Sequence, residues 1–293
     1  MTVILLSLAS AAFFGGMTVA IRLGLAGAEA SLATPTEGRA GFAGAAVRNA
    51  ATGALAMLVW ATALAVVVAL PEHDLHRSWE FFLAGLLAPG CSQVLFILSV
   101  REAGPARTSV TVGAGPLVAV AIALVFLHEP VKALLVLGAL AVVGGGVVLA
   151  SERERPAHVR AAALFFAVGA TVFFAVRDNI VRALHAHANP FSAAAATLLA
   201  GLLVTALWAR RPPPLVQLRR LAPAGICFGL SYICLFEAYF HGRVSVVSPL
   251  VATESLWGVG LSALLVTHER VGRSLALGAA LVVVGGVLIG LGR

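Results

Sequence analysis

A few charged side chains lie inside the long apolar segments of this sequence, and Glu254 is the most central of them. It lies near the middle of the segment 244–266, and Trp257 follows three residues later on the same face of a predicted helix. A charge at the centre of a bilayer costs about 2.5–3.5 kcal/mol on insertion scales. Because the loss of water favours a protonated carboxyl group, Glu254 could carry a proton or pair with a cationic substrate. The alternative is a structural Glu254, hydrogen-bonded to a neighbouring helix or paired with an arginine.

Arg177 and Asp178 form a second candidate, about three-quarters of the way along the segment 160–181. Adjacent residues of a helix do not share a face, so we expect the two charges to have different partners. Arg177 could bind a substrate carboxylate through two parallel hydrogen bonds. The commoner alternative is an arginine at the water interface, with its aliphatic stem in the bilayer.

Two uncharged polar side chains complete the predicted site. Gln93 lies midway along 80–99 and suits either substrate recognition or a hydrogen bond between helices. Tyr232 lies midway along 221–240 and could line a cavity or pack between helices. The predicted substrate-binding residues are therefore Glu254, Trp257, Gln93, Tyr232 and Arg177, with Glu254 also the predicted proton-coupling group.

The composition determines which elements must position these side chains. The 293 residues are 60% hydrophobic and 11% charged, with a mean hydropathy of +0.99, whereas soluble domains have about 45–50% apolar and about a quarter charged residues. This excludes a soluble enzyme, a disordered chain, a disulfide scaffold and a nucleic-acid-binding protein, and it indicates a multi-pass membrane protein.

The net charge of +7 falls in short gaps between apolar runs, so we attribute it to membrane topology. Nucleotide-binding and zinc-protease motifs are missing and the three cysteines lack metal-ligand spacing, so we predict neither a cofactor nor a metal.

A membrane-spanning helix needs about 20 mostly apolar residues. Ten segments meet this requirement: 3–21, 50–70, 80–99, 107–127, 132–150, 160–181, 191–208, 221–240, 244–266 and 274–291. Pro89, Pro116 and Pro249 fall inside or near these spans. They predict either ordinary kinks or discontinuous helices at a binding site.

The two halves of the sequence resemble each other. Residues 127–131 (Leu-His-Glu-Pro-Val) recur 140 residues later as 267–271 (Thr-His-Glu-Arg-Val), and a glycine-rich segment follows each copy. We therefore predict two repeats of five helices, residues 1–152 and 153–293. An odd number of spans reverses the second repeat, which is the arrangement that many secondary transporters use for alternating access. The expected fold is an all-α integral membrane protein with ten transmembrane helices in two inverted five-helix repeats.

Several segments resemble EamA-type proteins of the drug/metabolite transporter superfamily, and the resemblance covers nearly the whole chain. Residues 13–22 resemble the first helix of that family, and residues 45–51 resemble the arginine-bearing start of its second helix. Residues 113–117, followed by His128-Glu129, resemble its proline-to-glutamate stretch. The second copy of that stretch begins at Ser248 and departs from the family, because serine follows Glu254 where the family commonly has proline.

The resemblance implies a secondary transporter that exports or exchanges a small metabolite, such as an amino acid or a drug, through a cavity between the two halves. The expected partners are this small-molecule substrate and the lipid bilayer of the cytoplasmic (inner) membrane, with protons as the candidate coupling ion. A homodimer is compatible with the glycine-rich helices, which close packing inside one chain explains equally well. Two other classes stay open, a non-transporting membrane sensor or scaffold and, less favoured, a membrane-embedded enzyme.

Two arguments about membrane orientation disagree. Of the 20 basic residues, fourteen fall on one face of the predicted topology and six on the face that carries both termini. The positive-inside rule therefore places both termini outside the cytoplasm. The family resemblance implies that both termini are cytoplasmic, so the sequence leaves the orientation open.

Overall fold

The computed structural model describes residues 2–26, 39–72, 78–127, 133–150, 161–186, 188–242, 244–266 and 272–291. These residues are mostly helical, and none of them belongs to a β-strand. The two His-Glu motifs and the predicted boundary between the repeats lie outside the described residues.

The chain forms long helices separated by short connections. The described helices of the first half are α1 (Thr2–Ala26), α2 (Arg39–Ala69), α3 (Trp79–Gly85), α4 (Ser92–Ala103), α5 (Pro105–Val112), α6 (Gly115–Leu127) and α7 (Ala133–Ala150). Those of the second half are α8 (Ala161–Ala183), α9 (Pro190–Ala209), α10 (Leu215–Arg220), α11 (Ala222–His241), α12 (Val244–Val251), α13 (Glu254–Leu265) and α14 (Arg273–Leu291). A 3-10 turn (Leu70–Glu72) follows α2, and a π-helical turn (Leu86–Cys91) that contains Pro89 joins α3 to α4.

Six segments of the described chain are long and apolar enough to cross a membrane. They comprise Thr2–Leu25, Ala46–Ala69, Trp79–Ala103, Leu164–Ala183, Pro190–Ala209 and Ala222–His241. Each coincides with a predicted span, and α7 and α14 coincide with two more. The total of ten spans stays a prediction.

The predicted spans 107–127 and 244–266 are not continuous helices, which agrees with the alternative of discontinuous helices at Pro116 and Pro249 rather than ordinary kinks. Residues 113–114 separate α5 from α6, and residues 252–253 separate α12 from α13. The two breaks lie 139 residues apart, close to the offset of the sequence repeat. The same part of each half is therefore discontinuous.

Local chemistry accounts for both breaks. Pro116 has no N–H to donate to the preceding turn, so helical bonding cannot run continuously through this residue. In the second half, the Thr253 hydroxyl donates to the Leu250 carbonyl oxygen at 2.6 Å. This side-chain bond competes with the backbone bonds that would continue α12.

Helix packing follows the repeat. In the described chain, α1 packs along α11, and α8 packs along α4 and the turn before it, which is the corresponding pair. Two further pairs, α2 with α9 and α7 with α14, each join corresponding helices of the two halves. This pattern agrees with an internal repeat, and the inverted orientation of the halves stays a prediction.

The contact between α7 and α14 depends on glycines. A Cβ atom at Gly285 would lie 2.6 Å from the Gly138 carbonyl oxygen, and one at Gly145 would lie 2.9 Å from the Gly278 carbonyl oxygen. Gly285 and Gly278 each follow their counterparts Gly145 and Gly138 by 140 residues. Such a reciprocal contact is the kind that a two-fold relation produces. These glycines therefore serve packing within one chain.

We expect Gly285→Ala to lower the thermal stability of the purified protein, because the added methyl group forces the two backbones apart. Overpacking of this kind costs about 1–3 kcal/mol. Gly144→Ala is the matched control, since a Cβ at Gly144 meets nothing within 4 Å. Melting temperatures in detergent would measure both variants, and equal melting temperatures would contradict the close contact at Gly285.

Candidate solute-binding cavity

A cavity lies where α1, α8 and α11 meet the breaks of the two discontinuous helices. Its volume of about 50 Å³ holds roughly three to five water molecules at about 10–15 Å³ each. The first half contributes Ser10, Phe14, Val112, Gly115 and Pro116 to the lining. The second half contributes Thr171, Phe174, Ala175, Arg177, Asp178, Ser231, Leu235, Tyr239, Ser248, Val251, Ala252 and Glu254. All three charged groups of the lining therefore come from the second half.

Arg177 is buried at this cavity, with 3% of its side chain exposed, and does not lie at a water interface. Its Nε atom is 2.8 Å from Asp178 Oδ1, so the expectation that these neighbours have different partners is wrong. The long arginine side chain reaches back to its neighbour, which a rule based on helical faces does not consider. The guanidinium carbon lies 4.7 Å from the ring centre of Tyr232 and 5.4 Å from that of Phe174. Both rings favour the cation at this position.

Several polar atoms around the ion pair have unused hydrogen-bonding capacity. Arg177 Nη1 is buried and makes no hydrogen bond with the described residues. Asp178 Oδ1, which lies 2.8 Å from Arg177 Nε, and the Tyr239 hydroxyl can each accept a further hydrogen bond. Unpaired buried polar groups are costly, so these atoms are suited to bind a polar ligand.

Glu254 is the first residue of α13, at the break rather than in the middle of a continuous helix. Only 4% of the residue is exposed, and it lines the cavity. It lies within electrostatic range of Arg177 and Asp178 but forms no ion pair with Arg177. The start of a helix favours a carboxylate, because its first N–H groups carry a partial positive charge.

Tyr239 and Ser248 line the cavity although the sequence analysis did not select them, and Asp178 lines it although only its neighbour Arg177 was predicted to bind substrate. The Tyr239 hydroxyl lies beside both Asp178 and Ser248. The sequence does contain a signal for Tyr239. The only two tyrosines of the sequence, Tyr232 and Tyr239, are seven residues apart and share a helical face, so a site that includes one of them can include the other.

Three predicted residues lie elsewhere, which corrects their placement in the lining. Gln93 is buried with its Nε2 atom 4.0 Å from Met17 Sδ and 3.9 Å from Met57 Sδ. Tyr232 is buried against Arg177 rather than at the cavity surface. Trp257 is 47% exposed and does not line the cavity, although it follows Glu254 by three residues on α13.

Comparison with solved structures supports the architecture across nearly the whole chain. One crystal structure, described as "Crystal structure of protein", is 20% identical, and the match covers 95% of this chain and 96% of that one with a TM-score of 0.58. At this identity the likeness concerns the fold alone. No curated protein sequence matches the chain.

Residues 161–291 match the EamA-like transporter family. The matched region contains α8 and α11–α14 and with them every charged residue of the cavity. A transporter family fits a protein that is not an enzyme, and the apolar helices make the chain an integral multi-pass membrane protein. The match of residues 161–291 to the EamA-like transporter family confirms the resemblance seen in the sequence over that part of the chain.

Proposed function

We propose that this protein is a secondary transporter that exports a small solute bearing an ammonium and a carboxylate group across the cytoplasmic membrane. The observation that carries the proposal is the convergence of three buried charged residues, Arg177, Asp178 and Glu254, on one cavity. Buried charges are costly unless they are paired and hydrogen-bonded. A ligand that satisfies both signs of charge would remove part of this cost.

The charges of the cavity complement those of a zwitterion. Arg177 retains an unused donor at Nη1, which can bind a carboxylate. Glu254, which is not engaged in an ion pair with Arg177, can accept hydrogen bonds from an ammonium group. Phe14 and Phe174 add an apolar wall for the remaining part of the solute. Small α-amino acids combine these features.

Charge balance supports proton coupling at Glu254. With Arg177, Asp178 and Glu254 all ionised, the lining carries a net charge of −1. One proton on Glu254 restores neutrality, and the ammonium group of a bound zwitterion competes with that proton for the same carboxylate. When the proton leaves Glu254 for water on one face, solute can bind; on the other face a proton replaces the solute.

The two broken helices support alternating access between inverted repeats. The Ser255 hydroxyl donates to the Ser109 carbonyl oxygen at 3.1 Å, and a Cβ at Gly113 or Gly258 would clash with a serine hydroxyl of the facing helix. α5 and α13 are thus in close contact, whereas α6 and α12 flank the cavity. In the proposed cycle α5 and α13 separate while α6 and α12 close over the cavity. Such an exchange is expected for repeats that swap roles on the two membrane faces.

We expect Glu254→Gln to abolish the pH dependence of export, because glutamine cannot exchange a proton. Proteoliposomes loaded with isotope-labelled amino acids would release label faster when the outside is acidic, and the variant would lose this acceleration. Glu102→Gln is the control, since this half-exposed carboxylate lies beside Arg101 and outside the cavity. An unchanged response to the gradient in Glu254→Gln would contradict coupling at this residue, and binding without flux in the wild type would favour a sensor.

We expect Arg177→Lys to raise KM for an amino acid by about tenfold or more, because a hydrogen bond to a charged group contributes about 1.5–3 kcal/mol. The amide of the same amino acid, which keeps the ammonium group and lacks the carboxylate, serves as the matched substrate. Its KM should change little, so the preference for the acid disappears. If the variant keeps the ratio of the two KM values, Arg177 does not bind the carboxylate.

A disulfide between α5 and α13 should stop transport, because the proposed cycle separates these helices. A Cβ at Gly113 lies 3.1 Å from Ser255 Cβ, close to the separation of about 3.5–4.5 Å in disulfides. The test uses Gly113→Cys with Ser255→Cys in a chain whose three native cysteines are replaced. Flux before and after reduction of the same sample provides the control, and full flux in the oxidised protein would show that the contact need not open.

A further inference from the structure

A second surface lies away from the cavity, where α9 ends and α10 leads into α11. Four exposed arginines surround α10: Arg210 and Arg211 before it, and Arg219 and Arg220 at its end. The sequence contains no Asp or Glu between Asp178 and Glu237, so this connection carries no acidic residue of its own. Within the described part of the chain, these arginines form no ion pair. Their charge is therefore available to an external anion.

Exposed apolar side chains accompany these arginines. Leu207 is 76% exposed at the end of α9, and Leu215 and Val216 are each 60% exposed at the start of α10. Trp208 lies next to Leu207 and is also exposed. Basic residues combined with Trp and aliphatic side chains are typical of segments that lie in the membrane interface.

Contacts to other helices hold α10 in place. The Trp60 indole N–H donates to the Leu218 carbonyl oxygen at 2.9 Å, which joins α2 to α10. Gln217 is buried, and a Cβ at Gly24 would lie 2.7 Å from Leu221 Cδ2, so α1 also approaches the end of α10. Tryptophans are enriched at the depth of the lipid headgroups. The arginines are therefore presented by a fixed element near the end of the membrane spans.

We infer that residues 207–220 form a binding site for an anionic phospholipid of the surrounding bilayer. The arginines bind the headgroup phosphate, because the planar guanidinium group matches phosphate geometry with paired hydrogen bonds. An acyl chain lies along Leu207, Leu215 and Val216, which a free phosphate ion would leave uncovered. A zwitterionic lipid offers no net charge to balance the four arginines.

Native mass spectrometry of the full chain in neutral detergent tests this inference. The protein is mixed with equal amounts of phosphatidylglycerol and phosphatidylcholine, and the bound lipids are counted. We expect the wild type to retain phosphatidylglycerol preferentially. Replacing all four arginines with glutamine should weaken that retention by at least about tenfold, since each basic residue near an anionic surface contributes about 1 kcal/mol.

Two variants serve as controls for charge and folding. Arg273→Gln removes an exposed arginine at the start of α14 and should leave the preference intact. Arg210→Gln with Arg211→Gln leaves α10 itself unchanged and should lose part of the preference at an unaltered lipid-free melting temperature. The inference is overturned if the fourfold variant keeps the wild-type preference, if both lipids bind equally, or if inorganic phosphate displaces phosphatidylglycerol.

Discussion

The burial of Arg177 and Asp178 in an apolar bundle is the constraint on which the rest of the site depends. Such a pair persists only if surrounding groups fix its geometry. Phe174 and Tyr232 contact the guanidinium group, and Tyr239 lies beside the carboxylate.

Hydrogen bonds between helices hold these residues in place. Arg182 of α8 donates to the Tyr239 carbonyl oxygen of α11 at 3.0 Å. On the other side of α11, Ser10 and Ser231 each donate to the other's carbonyl oxygen at 3.0 Å, which joins α1 to the same framework.

The hydrogen bonds that join neighbouring helices are present in both halves, whereas the charged residues of the cavity all come from the second half. Arg22 bonds the Arg101 carbonyl oxygen at 3.2 Å in the first half, as Arg182 bonds a carbonyl oxygen of α11 in the second. Both arginines follow a Phe-Phe pair at the same spacing. Between these matching points the first half has Met17 and Thr18 where the second has the ion pair. The repeat thus supplies two similar scaffolds, and a local difference makes one of them the polar wall of the cavity.

Sequence reasoning found most helices and two of the cavity's charged residues for the same reason. Long apolar runs are easily recognised as spanning helices. Glu254 and Arg177 stand out within them, because a charge inside a membrane span is costly and therefore indicates a functional site. The breaks were harder to predict, since Pro116 and Pro249 are equally compatible with kinks. Glu254 begins α13 and lines the cavity, whereas Trp257 is exposed three residues later, so helical spacing alone did not place the second residue. Tyr239 and Ser248 depend on packing between helices, which a single helical pattern does not contain.

The chemistry of the contact between α5 and α13 suits a helix pair that must separate. Its closest backbone approaches involve serine and glycine, and Val110 of α5 and Val259 of α13 belong to one small hydrophobic cluster beside them. The hydrogen bond from Ser255 to Ser109 adds about 0.5–1.5 kcal/mol in net terms. In the proposed cycle, a bound solute shifts the balance between two arrangements by as much as its affinities for them differ. The breaks that bring charge to the cavity would then also be the places where the proposed transporter opens.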